Sequence, residues 1–335
     1  RVLFRSWGNN NTNLFGNNNS AETQRLVPGQ VGTDTNWKFI TTNGNIVVGL
    51  KTDGTLWNWG NNWNGELGDG TTVAKTIPTK LGAETNWISV TLTNNTTFAL
   101  KSNGTMWVWG SNSSGIFGNN TTTSSNVPIQ ANNITNWKMM DAGPNHILAV
   151  KQDGSLWAWG SNYSGQLGNG TASSSNQLLP LRIGSDNNWE KVSAGSNNSY
   201  AIKSNGSIWS WGDNGLGKNG RIPGENTVLP TQVGNGLNWS NIYAGSNSIG
   251  IKSDKSIWIW GSNSDGMLGV GLNPFKKSPE RVNSNGGWKE ISPYGNTTFG
   301  IKLDGTLWAW GDNAFGIFGS DKISTNTPIQ IGNGT

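Results

Sequence analysis

The sequence has no cysteine. That excludes disulfides, thiol nucleophiles and cysteine-based metal sites. It has one histidine, His146, whereas general acid–base catalysis leans most often on histidine or on paired carboxylates. Charged residues are only 13% of the chain, with a net charge of +4. No run of lysine and arginine follows the pattern of a phosphate-tracking surface, so no nucleic-acid partner is expected. No apolar run reaches the roughly 18 residues that span a bilayer as a helix, so membrane insertion is not expected either. A start at Arg1, with no leader segment, reads as a processed or excerpted polypeptide.

Other chemistry is also missing. The turn aspartates Asp53, Asp153, Asp254 and Asp304 do not form the closely spaced ligand pattern of a calcium loop. No His/Asp/Glu cluster has metal-ligand spacing. Every glycine cluster recurs with a repeat, and none reads as a phosphate cradle. The expectation is a protein without catalytic residues, metal or cofactor.

What the chain does have is 48 glycines and 20 tryptophans. Hydrophobic content of 33% would suit disorder, but disordered chains are poor in aromatics. Nineteen of the tryptophans fall in a repeat frame. Trp-Gly occurs at Trp7, Trp59, Trp109, Trp159, Trp211, Trp260 and Trp310, with gaps of 52, 50, 50, 52, 49 and 50 residues. A fixed period of this size marks a repeat architecture running from end to end, read as a single domain over residues 1–335.

Each unit holds four strand-like pieces. In the unit around Trp159 these are 136–143, 146–151, 155–159 and a stretch centred on 179–184. Asp153-Gly154 between the second and third pieces reads as a two-residue hairpin turn with positive φ. Asp254-Lys255 breaks this pattern and predicts strain or a different turn there. The third piece, Leu156-Trp157-Ala158-Trp159, is apolar on both faces and should be buried on both. Twelve tryptophans of this piece are expected to pack successive units together: Trp57, Trp59, Trp107, Trp109, Trp157, Trp159, Trp209, Trp211, Trp258, Trp260, Trp308 and Trp310. Six lysines two residues before the turn (Lys51, Lys101, Lys151, Lys203, Lys252, Lys302) read as a solvated ring. The fourth piece carries a recurring proline, which confines it to a sheet edge. Four strands with a proline-blunted outer edge describe a β-propeller blade.

Seven Trp-Gly strands predict seven blades. The opening half of the unit occurs only six times, at Trp37, Trp87, Trp137, Trp189, Trp239 and Trp288. One blade is therefore expected to lack two strands, supplied either by residues outside this sequence or by another chain, the latter implying self-assembly.

The stretch from Asp141-Ala142-Gly143 through His146, Asp153-Gly154 and Trp159-Gly160 to Gly168 resembles the regulator-of-chromosome-condensation repeat. The resemblance covers the whole chain and implies a seven-bladed β-propeller of four-stranded antiparallel blades. Gly32-Thr33-Asp34-Thr35-Asn36-Trp37-Lys38 looks like the secreted bacterial branch. The implied role is a non-catalytic binding or scaffold module, outside the cell or on a bacterial surface, as in an adhesin or filament, with a protein or a glycan as partner. The family also implies two alternatives. One is guanine-nucleotide exchange, for which the even period leaves no room for an inserted wedge. The other is secreted enzyme inhibition through aromatic loop residues.

The loop after each Trp-Gly varies most at two positions: Asn11-Thr12, Trp63-Asn64, Ser113-Ser114, Tyr163-Ser164, Ser264-Asp265 and Ala314-Phe315, with Asn214-Gly215 reading as a deletion. Trp63 is the tryptophan outside the repeat frame. Exposed aromatics anchor interfaces, so Trp63, Tyr163 and Phe315 are the candidate binding residues. The competing reading packs them on neighbouring loops. His146, at a family consensus position beside Ala142-Gly143, reads as structural.

Overall fold

The computed structural model of the protein describes residues 4–224, 226–245, 247–264, 266–271, 273–282, 287–313, 316–319 and 323–332. The chain is an all-β propeller. Strand β1 (Arg5–Asn9) pairs with β2 (Gln24–Gln30) alone. Blade one then comprises β3 (Trp37–Thr42), β4 (Ile46–Lys51), β5 (Leu56–Gly60) and β6 (Lys75–Lys80), hydrogen-bonded antiparallel in that order. The same meander recurs as blades two to six, at 87–130, 137–183, 189–232, 239–281 and 288–330. Seven blades were expected from counting Trp-Gly strands. Six are four-stranded, and the strand of Trp7 stands in the two-stranded sheet β1–β2.

The sequence explains the radial order. The second strands of blades one and two are buried at every residue, and those of blades three to five at all but the closing lysine, because a blade is covered by neighbours on both faces. First strands of blades one to five touch in succession around the axis. Fourth strands carry the prolines at the outer edge, where a missing N–H leaves no ladder bond unmade.

The second tryptophan of each pair locks successive blades. Trp59 Nε1 donates to the Leu14 carbonyl (2.9 Å), Trp109 to Glu66 (2.8 Å), Trp159 to Ile116 (2.8 Å), Trp211 to Gln166 (2.8 Å) and Trp260 to Lys218 (3.1 Å). Each acceptor lies in the loop of the preceding unit. Trp7 completes the circuit by donating to Ile317 of blade six at 2.7 Å. Trp310 Nε1 finds no partner among the described residues. These six second tryptophans, Trp59 to Trp310, are all 0% exposed. The first tryptophans, Trp57, Trp107, Trp157, Trp209, Trp258 and Trp308, are half-buried.

Two local expectations need correction. The turn is a three-residue loop. Gly154 N–H reaches the Lys151 carbonyl at 2.9 Å, and only Gly154, at φ +77°, is left-handed. Asp153 does not need positive φ; its carboxylate accepts from Ser155 N–H (2.9 Å) and Oγ (2.6 Å), while Ser155 Oγ accepts from Trp157 Nε1 (2.9 Å). Lys255 enters the same turn at φ +64°, so strain and not a new turn type is the outcome there.

The lysines do not form a solvated ring. Lys51 is 4% exposed, with Nζ 3.5 Å from the Trp57 ring, 4.8 Å from Trp37 and 2.8 Å from the Asp34 carboxylate. Lys101, Lys151, Lys203, Lys252 and Lys302 sit over the corresponding ring pairs. A lysine stem is apolar and its ammonium is attracted to an aromatic face, so the pair of rings holds both ends of the side chain.

Candidate functional site

The loop between third and fourth strands is built on one asparagine. Asn62 is fully buried. Its Oδ1 accepts from Leu67 N–H (2.9 Å) and its Nδ2 donates to the Thr71 carbonyl (3.0 Å). Asn10, Asn112, Asn162, Asn214, Asn263 and Asn313 accept from the residue five positions on in the same way. An amide offers donors and an acceptor together, which suits it to satisfying a tight loop from inside. The sequence reading did not single out these residues, though their recurrence at the repeat period was the available signal.

Glycine fixes the other side of the loop. Gly65 lies at φ +77°, and a Cβ there would stand 2.5 Å from Asn126 of the next blade. The loop thus rests on its neighbour with Trp63 and Asn64 turned outward. Trp63 and Tyr163 are each 76% exposed, and neither packs on a neighbouring ring among the described residues. Phe315 lies outside the described residues.

The two loops that carry these aromatics share a second brace. Asn64 N–H donates to Glu66 Oε2 at 2.8 Å, and Ser164 N–H donates to Gln166 Oε1 at 2.8 Å. Glu66 and Gln166 are buried, and their main-chain carbonyls also hold Trp109 and Trp211. Leu14, Ile116, Lys218, Met267 and Ile317 occupy this position in the other units. A side chain that caps the N–H next to the exposed aromatic therefore occurs where the aromatic does.

Blade four does not delete the variable pair. Gly217 N–H bonds the Asn214 carbonyl (3.1 Å) and Asn219 N–H bonds Asn214 Oδ1 (3.2 Å), at the spacing of the other loops. Gly215 and Leu216 fill the two positions. Leu216 is 52% exposed at φ +56°, a strained conformation for a branched side chain, of the sort that concentrates at functional sites. It joins Trp63 and Tyr163 as an outward apolar residue that the sequence reading missed. Tyr163 and Leu216 lie on adjacent blades, and Trp63 is two blades before Tyr163.

One buried and one half-buried titratable group are spoken for. His146 Nε2 lies 2.8 Å from Ser199 Oγ, whose own hydrogen goes to the Gln166 carbonyl at 2.6 Å. Nε2 therefore carries the ring proton, and Nδ1 has no partner. Burial alone holds the imidazole pKa down at about 3, so the ring is a neutral pin between blades three and four. Asp141, on the inner strand of blade three, accepts from Ala194 N–H (2.9 Å), Ser193 Oγ (3.1 Å) and Thr91 Oγ1 (3.3 Å). Burial pushes its carboxyl above the ordinary range against these donors. It ties blades two, three and four together near the axis. Among the described residues no cluster of three or more His, Asp or Glu is placed to hold a metal ion.

The model of the RCC1-like domain family matches residues 4–334. The fold is similar to that of yeast RCC1 (Prp20) solved bound to Kap60, at a TM-score of 0.87 and 19% identity over 99% of this chain and 84% of that one. It is similar to Prp20p from Saccharomyces cerevisiae, solved in a study of its binding to Gsp1p and histones, at 0.88 and 19% over 99% and 86%. Human WBSCR16 is similar at 0.83 and 18% over 99% and 94%. No curated protein sequence matches.

Proposed function

The chain belongs to the RCC1-like domain family, and from that membership we propose that it is a non-catalytic platform that binds protein through the end of the ring carrying Trp63, Tyr163 and Leu216. The observation that carries the reading is the pairing of exposure with rigidity. Trp63 and Tyr163 stand 76% exposed on loops whose main chain is fixed by Asn62, Asn162, Glu66 and Gln166. An aromatic with few freedoms left to lose binds at low entropic cost. Protein partners are favoured over glycans because the solved relatives are described with protein partners. The proposal takes residues 1–335 as one propeller domain of a secreted or surface-displayed protein of the bacterial branch, in keeping with the absence of cysteine and the polar, weakly charged composition.

The test uses the immobilised chain against three probes: a β-lactamase, a small GTPase loaded with fluorescent GDP, and a glycan array. Saturable protein binding that Trp63→Ala plus Tyr163→Ala abolishes, with melting temperature unchanged, is the expected result. Accelerated release of GDP would replace the platform reading by nucleotide exchange. Glycan binding alone, or protein binding indifferent to both substitutions, would overturn it.

A further inference from the structure

The repeat supplies its own control for an unusual residue in blade four. Seven positions after the loop asparagine, blades one, two and three carry Asp69, Asn119 and Asn169. Each of these side chains accepts from the main-chain N–H and the hydroxyl of a threonine two residues on, Thr71, Thr121 or Thr171. Asp69 also pairs with Lys75 at 3.1 Å, so its charge is balanced. Blade four places Arg221 at this position, and Pro223 where the threonine stands. Proline has neither the N–H nor the hydroxyl that the acceptor served. The acceptor and its donors are thus exchanged together for a cation.

Arg221 is half-buried. Its Nη1 donates to the Thr231 carbonyl (3.1 Å), and its Nη2 to the Ser210 carbonyl (3.2 Å) and Thr227 Oγ1 (3.0 Å). These bonds fix the guanidinium over the third and fourth strands of the blade. A guanidinium carries five N–H donors. Nε–H and one Nη1 hydrogen therefore have no acceptor among the described residues. Burial draws the Arg221 pKa below its ordinary value, as happens when a cation leaves water without gaining a counter-charge. The described carboxylates of these segments are engaged elsewhere, Asp213 with Lys218 and Glu280 with Lys276, each at 2.7 Å. Glu225 lies outside the described residues.

A second cation comes from the next blade. The blade-four loop is pressed against the main chain of Lys277, since a Cβ on Gly217 would stand 2.7 Å from Lys277 Cα. Arg221 and Lys277 line one pocket of about 540 Å³ between blades four and five, together with Thr227 and Ser278. No described carboxylate lines it. The corresponding pocket between blades one and two, about 510 Å³, is lined by Asp69 and Glu84 beside Lys80.

We propose that the pocket between blades four and five binds a phosphate or sulfate group, with Arg221 and Lys277 balancing its charge and Thr227 and Ser278 donating their hydroxyl hydrogens to its oxygens. A tetrahedral oxyanion presents acceptors in every direction, which suits a wall of cationic and hydroxyl donors. The chemistry is the same whether the group arrives as the free ion or at the end of a larger molecule. Two cations make a single station and not a track for a phosphate backbone. The inference stands on Arg221 and its neighbours, independently of the loop aromatics.

The experiment titrates the 335-residue chain with inorganic phosphate, inorganic sulfate, O-phosphoserine and acetate at constant ionic strength, followed by calorimetry and amide NMR shifts. Expected is saturable binding of phosphate or sulfate, with shifts centred on the amides of Arg221, Thr227, Lys277 and Ser278. Acetate, singly charged, should bind at least tenfold more weakly. Arg221→Gln and Lys277→Glu should each weaken phosphate binding by about tenfold or more, while Lys80→Ala at the other junction leaves it unchanged. Lys277 is exposed, so its replacement should leave the melting temperature nearly unchanged and decides the matter if Arg221→Gln does not fold. Tighter binding of phosphoserine than of phosphate identifies the ligand as the end group of a larger molecule, and the reverse order identifies the free ion. Absence of saturable binding of all three oxyanions, or binding that survives Lys277→Glu undiminished, overturns the proposal. So does phosphate binding that appears only in Glu225→Gln, since the charge of Arg221 is then already answered within the chain.

Discussion

Replacing Trp159 by alanine should be among the costliest single changes in the propeller. Its indole is 0% exposed, packs at 6.0 Å from the Trp137 ring and donates to the Ile116 carbonyl of blade two at 2.8 Å. Removing a buried aromatic costs about 3–5 kcal/mol. The orphaned carbonyl adds about 1 kcal/mol. With an unfolding entropy of about 2 cal/mol/K per residue, a ring of this length that melts as one unit should lose roughly 6–9 °C. The series Trp159→Ala, Trp159→Phe, Trp310→Phe and Trp157→Ala, followed by calorimetry and urea unfolding, separates the contributions. Trp159→Phe keeps most of the ring and loses the N–H. It should cost about 1–2 kcal/mol more than Trp310→Phe, because Trp310 Nε1 has no bond to lose among the described residues. Trp157→Ala, at a half-buried site, should cost about half as much as Trp159→Ala. Equal losses for the two phenylalanine variants would refute the inter-blade hydrogen bond as a source of stability. A loss under about 1 kcal/mol for Trp159→Ala would refute its place in the core.

Three further outcomes follow from the same structure. Lys255→Gly relieves a left-handed residue at φ +64° and should stabilise by about 0.5–1 kcal/mol in chemical denaturation, the strain relieved exceeding the added freedom of the unfolded chain; a destabilised variant would mean the turn is not strained. His146, held neutral with its pKa depressed to about 3 from 6.5, contributes stability that is complete above pH 6.5 and falls by about 1.4 kcal/mol per pH unit below it. Asp141, with its carboxyl pushed up, has the opposite sign. His146→Asn, which installs the residue found at Asn198 in the next blade, should therefore flatten the pH dependence between 6.5 and 4 relative to the parent chain, and parallel curves would contradict the buried neutral imidazole. Trp63→Ala should change stability by less than about 0.5 kcal/mol; a larger drop in melting temperature would remove Trp63 from the binding surface.

Most of the architecture was legible because it rests on period. The spacing of Trp-Gly, the doubly apolar third strand and the edge prolines each carry a physical constraint visible in one unit. What was not legible depends on residues brought together across units. Lys51 reads as a solvated charge until Trp37 and Asp34 close over it. Asn214-Gly215 reads as a deletion until the bond from Asn219 shows the loop at full length. Trp63 stands out in the sequence because it breaks the repeat frame, and in the structure it is exposed. Leu216 was missed because a lone leucine in a glycine-rich loop carries no pattern. Asp141 looked like one more consensus residue, and its bonds to Thr91 and Ser193 exist only once three inner strands meet near the axis.

The loop frame has a consequence for how such a surface changes over generations. Its fixed atoms belong to a buried asparagine and a left-handed glycine, and the main-chain carbonyl of each loop serves the tryptophan of the next blade. The exposed variable residues, such as Trp63, Asn64 and Tyr163, supply none of these atoms, whereas Ser164 is buried. Mutation can therefore rewrite them station by station without disturbing the scaffold beneath. A lineage carrying this ring could drift from one partner to another by swapping surface letters alone, and a directed library confined to those positions should keep nearly every member folded.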